Sequence, residues 1–332
     1  MTSLFDVGKS AIQAYRQSLA VTGQNIANLN TEGYKRREAD LQEVTASQGG
    51  ITSLANQAGL GVRVSDINRS FDAFLSDKKL LASSNFERMD SYVKQIEKVE
   101  TALLPSEADL GIQIGNFFRA LSDVSSSPSD LASRTVALEQ GRSLASAFNS
   151  SFMLLDQLKD QTRAKMQDAV DGLNLLTKEL ASVNSRILSS GQSGKSPNSL
   201  LDLRDNLIND ISVLTDVSVS YTDRGVANLT IGSSGVGPSL VEGSAKNQIG
   251  FFERYDRIGG LQIVLNPLSS KTPTSQLSAG MLAGLSEAYG AIDSVINQTN
   301  QLAVAITTDL NEQHHRGVTT VSYTHLTLPT KA

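Results

Sequence analysis

Three groups of residues could carry chemistry in this sequence: a loop with glycine and lysine, a pair of histidines and a group of aspartates. The loop reads SGQSGKS at residues 190–196. A phosphate-binding loop needs a glycine, four residues of any kind and then Gly-Lys-Ser or Gly-Lys-Thr after a strand, so that backbone N–H groups converge on the phosphates. Here Ser189 stands in place of the first glycine, and the preceding pattern is helical. We therefore expect a linker and no nucleotide cofactor.

The histidines are adjacent, which argues against a metal site. His314 and His315 point about 100° apart on a helix, so they cannot share a metal as residues at i and i+4 do. His325 is the only other histidine, and the chain has no cysteine. We expect both side chains to interact favourably with the C-terminal carbonyls of a helix, which Gly317 then closes.

Asp202, Asp205 and Asp210 could form a general acid and base, but no other residues in the sequence indicate a pocket around them. Asp202 and Asp205 flank Arg204 near a predicted helix start, where negative side chains are stabilising. Ser199 and Asp202 also have the spacing of a capping box. We therefore expect structural aspartates, no catalytic residues and no enzyme activity.

The composition excludes further classes of protein. The chain has 332 residues, a formal net charge of −5 and a pI near 5.3, so it has no basic field for nucleic acid. Asp6, Lys9 and Arg16 interrupt the N-terminal segment, which therefore lacks the apolar core of a cleaved signal peptide. No run approaches the roughly 20 apolar residues that span a bilayer. We expect neither nucleic-acid binding nor membrane insertion.

The start of the chain carries a narrow apolar stripe. Its residues recur at alternating intervals of three and four, with Gly8 and Thr22 at intervening positions, which is the heptad pattern of a helix that packs against another helix. Such a stripe needs a partner from this chain or from another copy. We predict a coiled-coil-type assembly helix whose seam consists of Phe5, Ile12, Tyr15, Leu19, Ile26 and Leu29.

The stripe stops at an asparagine-rich turn, NIANLNTEGYKRREADL, at residues 25–41. Asn28 and Asn30 tolerate the left-handed conformation that ends helices, and Gly33 permits a turn without a side-chain penalty. We therefore expect the helix to end near Leu29. After the turn we expect a solvated basic cluster of Lys35, Arg36 and Arg37.

The segment NIANLNTEGYKR resembles the N-terminal signature of the flagellar axial proteins, which are the rod, hook and junction subunits. The resemblance implies that the first helix packs with a C-terminal helix and lines the inner tube of the assembled axis. It also implies that the turn redirects the chain toward the outer domain. The matching positions are Asn25, Ile26, Ala27, Asn28, Thr31, Gly33, Tyr34 and Lys35.

The middle of the chain is predominantly helical in pattern. GLGVRVSDINRSFDAFL at 59–75 predicts a strand followed by a helix start, and a helical seam from Phe86 to Leu103 ends at Pro105. From about 130 to 190 there is no proline and apolar residues keep helical spacing, which predicts one helix of about 60 residues or two in line, capped by Ser129.

Between about 216 and 272 short alternating runs and glycine-rich turns predict a β insertion, with a hairpin around Asp223 to Gly225. Helical pattern returns at residue 277. The fold class that we expect is mainly α with a small β insertion, arranged as an elongated helical bundle.

Four later segments narrow the resemblance: FFRALSDVSSSPSDLASR, SPNSLLDLRDNLINDIS, LSAGMLAGL and LNEQHHRG occur in the order found in the hook–filament junction members of the family. The resemblance covers residues 1 to about 317. It implies a structural subunit of the extracellular flagellum, exported unfolded by the type III route with an export chaperone. It implies self-association in the axis and contacts with the hook protein and a second junction protein.

Two alternatives remain open. Another axial protein, a rod or hook subunit, would carry mostly β middle domains, and circular dichroism distinguishes it. A nucleotide-binding enzyme would use the Ser189 to Ser196 loop, and calorimetry with ATP tests it.

The tail TTVSYTHLTLPTKA has no helical stripe and contains Pro329. It resembles a translated cloning remnant, which predicts a truncated gene model.

The expected domain organisation follows the changes in pattern. The segments are 1–48 (assembly helix and turn), 49–80 (connecting segment with short strands), 81–215 (long-helix bundle), 216–272 (β-rich insertion), 273–317 (returning helix) and 318–332 (atypical tail).

Overall fold

The structure, a computed structural model, describes residues 4–44, 61–103, 110–190, 197–253, 261–267, 272–273 and 277–316. Helices account for most of these residues, and the strands between them are short, so the prediction of a mainly α fold with a small β insertion is confirmed. The helices are α1 (Leu4–Ala27), α2 (Ala73–Leu103), α3 (Leu110–Ser126), α4 (Leu131–Ser190), α5 (Asn198–Leu214) and α6 (Met281–His315).

The strands of the described residues form three small sheets. A two-stranded antiparallel ribbon consists of β1 (Arg37–Glu43) and β2 (Val62–Arg69), with a register shift between Asp40 and Leu41. Two more sheets lie within the predicted insertion. The first has the order β3 (Val217–Tyr221), β4 (Ala227–Ile231), β5 (Ser239–Glu242) and β6 (Ala245–Lys246), and the second the order β7 (Ile249–Glu253), β8 (Leu261–Leu265) and β9 (Thr272–Pro273).

The chain divides into two compact units, and each is described by itself. Helices α2, α4 and α6 contribute residues to both. Unit 1 comprises Met1–Arg88, Asp168–Phe252 and Gln262–Ala283, and unit 2 comprises Met89–Gln167, Glu253–Leu261 and Gly284–Ala332.

The apolar core of unit 1 lies between helices and the two insertion sheets. Leu173, Leu180 and Ile187 of α4 are fully buried, since they recur at helical spacing on one face. Alternate residues of β4 point into the same core, as expected for a strand with one buried face. The further large buried members of this cluster are Ile208, Ile211, Leu229, Ile231, Leu240, Ile249 and Leu282.

In unit 2, α2, α4 and α6 contribute Val99, Leu155, Ile292 and Ile296 to a second apolar cluster. Lys159 of α4 forms an ion pair with Asp293 of α6 beside this cluster. Burial alone would lower the pKa of Lys159, but the hydrogen bond to Asp293 and nearby negative charge outweigh it, so that pKa lies above its ordinary value.

The sequence predicted one helix of about 60 residues or two in line, and the structure has the first of these, since α4 runs for 60 residues. Its predicted cap was wrong by one residue. The carboxylate of Asp130 accepts hydrogen bonds from the backbone N–H groups of Ala132 and Ser133, each at 3.1 Å. The hydrogen bond from the Ser133 hydroxyl, followed by these two, holds the pKa of Asp130 below its ordinary value. Asp130 and not Ser129 therefore satisfies the free N–H groups of the first turn.

The capping box predicted at Ser199 and Asp202 was also wrong. Pro197 takes the N-cap position of α5, and no side-chain capping hydrogen bond is made there. Asp202 is buried and binds arginines of the β1–β2 ribbon instead. An ion pair with a buried carboxylate is stronger than a capping hydrogen bond, so it decides where Asp202 points.

The predicted hairpin around Asp223 to Gly225 is confirmed: β3 and β4 pair antiparallel across it, and Gly225 has a φ of +78°. The returning helix was predicted at residue 277 but begins at Met281. Gly280, with a φ of +86°, precedes it in close contact with the backbone of Thr215, where an added Cβ would lie 2.5 Å from Cα. The chain therefore turns there before the helix begins.

Candidate functional site

Helix α1 presents two opposite faces. The predicted seam residues point into solvent, with exposed fractions from 62% for Ile12 to 88% for Phe5. The opposite face carries smaller side chains, and it buries Ala14 and Val21 against the ribbon. The large apolar side chains exposed along α1 and its turn are Leu4, Phe5, Ile12, Tyr15, Leu19, Ile26 and Leu29.

The inner face of α1 holds the ribbon through side-chain hydrogen bonds. The hydroxyl of Ser10 donates to the carbonyl of Val7 at 2.8 Å and accepts from the N–H of Val62 in β2 at 3.2 Å. Gly61 comes so close to Ser10 that a Cβ at Gly61 would lie 2.0 Å from the hydroxyl. Its φ of +107° is a conformation that favours glycine.

Asn25 fixes the turn that follows α1. Its amide donates to the carbonyl of Arg37 at 2.8 Å and accepts from the N–H of Arg37 at 2.9 Å, so it pairs with β1 as a neighbouring strand would. The Tyr34 hydroxyl also donates to Asn25 Oδ1 at 2.8 Å. Three residues of the predicted turn region, Asn25, Tyr34 and Arg37, thus meet at one point.

The helix ends at Ala27, two residues before Leu29 and thus near the predicted position, but the turn is made differently from the prediction. Among the described residues only Asn266 is a non-glycine residue with a positive φ, so Asn28 and Asn30 do not adopt the left-handed conformation. Instead the N–H of Thr31 donates to the carbonyl of Asn28 at 3.0 Å, and the Thr31 hydroxyl donates to the Asn28 side chain at 3.2 Å. A hydrogen-bonded turn replaces a left-handed cap.

Gly33 connects this turn to the body of unit 1. Its φ is +76°, and a Cβ added there would lie 1.9 Å from Oδ1 of Asn206 on α5. Two features therefore require glycine at position 33: its positive φ and its close approach to Asn206. Of the other two motif residues, Ile26 is exposed and Lys35 is half-buried.

A network of buried charges joins the ribbon to α5. Arg37 of β1 contacts Asp202 at 3.0 Å. Arg69 of β2 contacts Asp202 at 3.3 Å and Asp205 at 2.5 Å. Arg204 contacts Asp205 at 2.7 Å and donates a further hydrogen bond to the carbonyl of Gly225. The prediction of a solvated basic cluster was therefore wrong for Arg37, although Arg36 is exposed.

Aromatic rings flank the network. The guanidinium of Arg204 lies 4.4 Å from the ring centre of Tyr221, and that of Arg69 lies 4.8 Å from the ring centre of Phe71. The two rings meet edge to face at 5.7 Å. Burial, with a smaller contribution from the charge of Asp205, raises the pKa of Tyr221 to about 12. The rings shield the ion pairs from water and so strengthen them.

The other candidate residues are not brought together. Asp210 lies apart from the network, and burial followed by the charge of Glu32 raises its pKa. His314 and His315 occupy the last turn of α6, as predicted, while Gly317 and residues 191–196 of the glycine- and lysine-containing loop lie outside the described residues. Within the described ranges no group of three or more histidine, aspartate or glutamate residues is placed to hold a metal ion.

None of the described helices is long and apolar enough to cross a membrane.

The helix with an exposed seam and the fixed turn match a known segment: the family model of the flagella basal body rod protein matches residues 5–35. The fold and this segment define the class, a structural protein of the bacterial flagellum. The chain belongs to the family of the flagellar hook-associated protein FlgK helical domain, whose model matches residues 96–324.

Curated relatives are similar along nearly the whole chain. Flagellar hook-associated protein 1 of Escherichia coli K12 is 28% identical over 323 residues, which cover 96% of this chain. The protein of the same name from Bacillus subtilis 168 is 26% identical over 349 residues, again 96% of this chain. Their names support the expectation of a structural protein and not an enzyme, and they do not favour the alternative of a rod or hook subunit.

The chain is shorter than these relatives. It spans 58% of the length of the Escherichia coli protein and 69% of that of the Bacillus subtilis protein. A solved structure, that of the flagellar hook junction protein FlgK from Burkholderia pseudomallei, matches with a TM-score of 0.57 and 23% identity. The match covers 64% of this chain and 38% of that one, and it supports the fold alone.

Proposed function

We propose that this chain is a structural subunit of the junction between the flagellar hook and the filament. It self-associates in the flagellar axis and contacts the hook protein and a second junction protein. It acts outside the cell, after export with the help of an export chaperone. Family membership and the names of the relatives support this proposal.

The observation that carries the proposal is the exposed seam of α1. The inner face of the helix is already occupied by the ribbon, so the seam has room for a partner helix. Burying one large apolar side chain contributes roughly 1.5–3 kcal/mol, so six seam residues provide a substantial driving force for packing. We infer that the seam packs against another helix within the flagellar axis, and that the Asn25 to Lys35 turn directs the chain away from it.

The first experiment is deletion of the chromosomal gene. Cells with hooks but no filaments, which shed monomeric flagellin into the medium, would support a junction subunit. Loss of the hook itself would instead indicate a rod or hook subunit. Normal flagella in a strain with no second copy of the gene would contradict the proposal.

Complementation then tests the seam. Leu19→Asp places a charge in the stripe, and Gln13→Asp places the same charge at an exposed position of α1 outside it. Because a charge cannot be buried in an apolar helix contact without a large cost, we expect Leu19→Asp to fail to restore filaments and Gln13→Asp to restore them. Equal swimming of both strains would refute the role of the seam.

A further inference from the structure

The N-terminal arm, defined here as residues 4–44 and 61–69, is attached to unit 1 in an unusual way. None of its residues belongs to the apolar core cluster of the unit, which begins with Leu80. Gly33 approaches Asn206 of α5 closely, and the polar contacts with α5 are the ion pairs of Arg37 and Arg69, a hydrogen bond from Arg37 to the Ser199 hydroxyl at 3.4 Å and one from α5 back to β2. That bond runs from the Asn198 side chain to the carbonyl of Ile67 at 2.6 Å.

We propose that the buried charges form an orientation lock, which holds the arm on α5 in one direction. The lock consists of Arg37 and Arg69 from the arm and of Asp202, Asp205 and Arg204 from α5. Apolar contacts tolerate sliding because they are not directional, whereas a guanidinium that contacts two carboxylates fixes both distance and angle.

The α5 side of the lock is held in place before the arm arrives. Arg204 holds Asp205 by two hydrogen bonds, from Nε at 3.0 Å and from Nη2 at 2.7 Å. Arg204 is itself fixed by the carbonyl of Gly225 and by the ring of Tyr221. The body of unit 1 thus presents the Asp205 carboxylate in a defined geometry, with Asp202 one helical turn before it.

The arm supplies one cation from each strand. Arg69 is central because its Nη1 contacts both aspartates, and Arg37 takes the remaining oxygen of Asp202. Both arginine side chains are mostly buried, with 6% of Arg69 and 16% of Arg37 exposed. Removing Arg69 takes away the partner of Asp202 Oδ1 and of Asp205 Oδ2, and a buried acceptor without a partner favours separation of the arm from α5 over a dry contact.

The arm has its own internal connections and is expected to move as one piece. Ser10 and Asn25 join α1 to β2 and to β1, and neither bond involves α5. Opening the lock therefore changes the direction of α1 without unfolding it. This inference rests on the proposed function for its purpose, since the direction of α1 sets where the seam meets its partner.

The chain has no cysteine, so paired spin labels can be introduced without background. Labels at Ala20→Cys on α1 and Glu179→Cys on α4, both exposed positions of unit 1, measure the distance between the arm and the rest of unit 1. Labels at Ala20→Cys and Asn68→Cys report the interior of the arm. Pulsed electron resonance on the full chain then gives the distance distribution of each pair.

We expect a narrow arm-to-body distribution in the unsubstituted chain and a roughly twofold or greater broadening in Arg69→Met, with the arm-internal pair unchanged. Arg69→Lys retains the charge but loses the rigid planar guanidinium that lies over the ring of Phe71, so its width should be intermediate. Arg63→Met is the matched control, because Arg63 is an exposed arginine of the same strand. It should leave both pairs unchanged.

Two results would overturn the lock. The first is an arm-to-body distribution in Arg69→Met as narrow as in the unsubstituted chain. The second is broadening of the arm-internal pair as well, which would mean that Arg69 maintains the fold and not the direction. If the distribution broadens but Arg69→Met cells assemble normal filaments, the lock stands and its link to the proposed function fails.

Discussion

Replacing Asn184 should destabilise unit 1 more than any exposed substitution on the same helix. Asn184 of α4 is fully buried, and its amide donates to the carbonyls of Ala227 and Gly243, each at 2.8 Å. It also accepts from the N–H of Ala227 at 3.1 Å. The side chain therefore bonds both backbone groups of one residue of β4.

The magnitude follows from what Asn184→Ala leaves behind. Ala227 is fully buried, so its N–H and its carbonyl would have no access to water. Each buried unsatisfied group costs about 1–3 kcal/mol, whereas Gly243 is half-buried and its carbonyl can bond water. We expect a loss of about 4 kcal/mol in the free energy of unfolding, a large part of the roughly 5–15 kcal/mol that domains typically have.

Urea unfolding followed by circular dichroism at 222 nm measures this loss. With a slope of about 2 kcal/mol per M, the midpoint of unit 1 should fall by about 2 M. Asn149→Ala, an exposed substitution on α4, should change it little. Asn184→Asp should be as harmful as Asn184→Ala, because it loses both donors and places a carboxylate against two carbonyls. A loss below about 1 kcal/mol, or a harmless Asn184→Asp, would refute the reasoning.

Four further substitutions test other parts of unit 1. Gly33→Ala should lower the free energy of unfolding by about 1–2 kcal/mol, because alanine is strained at a φ of +76° and its Cβ displaces Asn206; urea unfolding measures it. Burial raises the pKa of Tyr221 to about 12 in the folded chain, from about 10 in the unfolded chain, so its neutral form stabilises the fold fully below pH 10 and loses this effect as the pH rises. The free energy of unfolding should therefore fall by about 2–3 kcal/mol between pH 10 and pH 12, and Tyr221→Phe should remove this fall. Thr215→Val should raise the melting temperature, with a gain of about 1 kcal/mol in the free energy of unfolding, because the buried Thr215 hydroxyl has no hydrogen-bond partner among the described residues. Gly8→Ala should stabilise α1 by about 1 kcal/mol in thermal unfolding, yet impair filament assembly if a partner helix approaches closely at this seam position.

Specific results would contradict the expectations for Gly8, Tyr221 and Thr215. Normal assembly with Gly8→Ala would argue against a close approach there. A pH profile of Tyr221→Phe that still falls between pH 10 and pH 12 would assign the loss to other groups. Destabilisation by Thr215→Val would mean that the hydroxyl has a partner after all.

The helices were predictable from local pattern because their cause is local. The absence of proline between 131 and 190 and the helical spacing of buried residues such as Leu173 and Leu180 predict α4 as the structure has it. The exposed seam of α1 was also visible, since heptad spacing depends on neighbouring residues only. In contrast, β1 has the charged sequence READLQE, which lacks strand alternation, and only its pairing with β2 makes it a strand.

The charged network could not be read from the sequence. Arg69 and Asp205 lie 136 positions apart, and nothing local distinguishes Arg37 from the exposed Arg36 beside it. For Asp202, a plausible local role as a cap competed with a distant ion pair, and only the fold decides between them. A charged side chain is buried only where the fold brings an opposite charge beside it, and the order of the elements in the fold decides which residue that is.

At three places among the described residues of unit 1, an asparagine on a helix bonds both backbone groups of one strand residue. Besides Asn25 and Asn184, the amide of Asn174 donates to the carbonyl of Ile249 at 2.8 Å and accepts from its N–H at 2.9 Å. A neutral amide does not titrate, so these joints are insensitive to pH and salt. Their weakness is chemical ageing: deamidation would convert each side chain to a carboxylate that repels the carbonyl it now binds. No asparagine in the chain is followed by glycine, the neighbour that most favours this reaction, so the joints are placed in a sequence context that slows their decay.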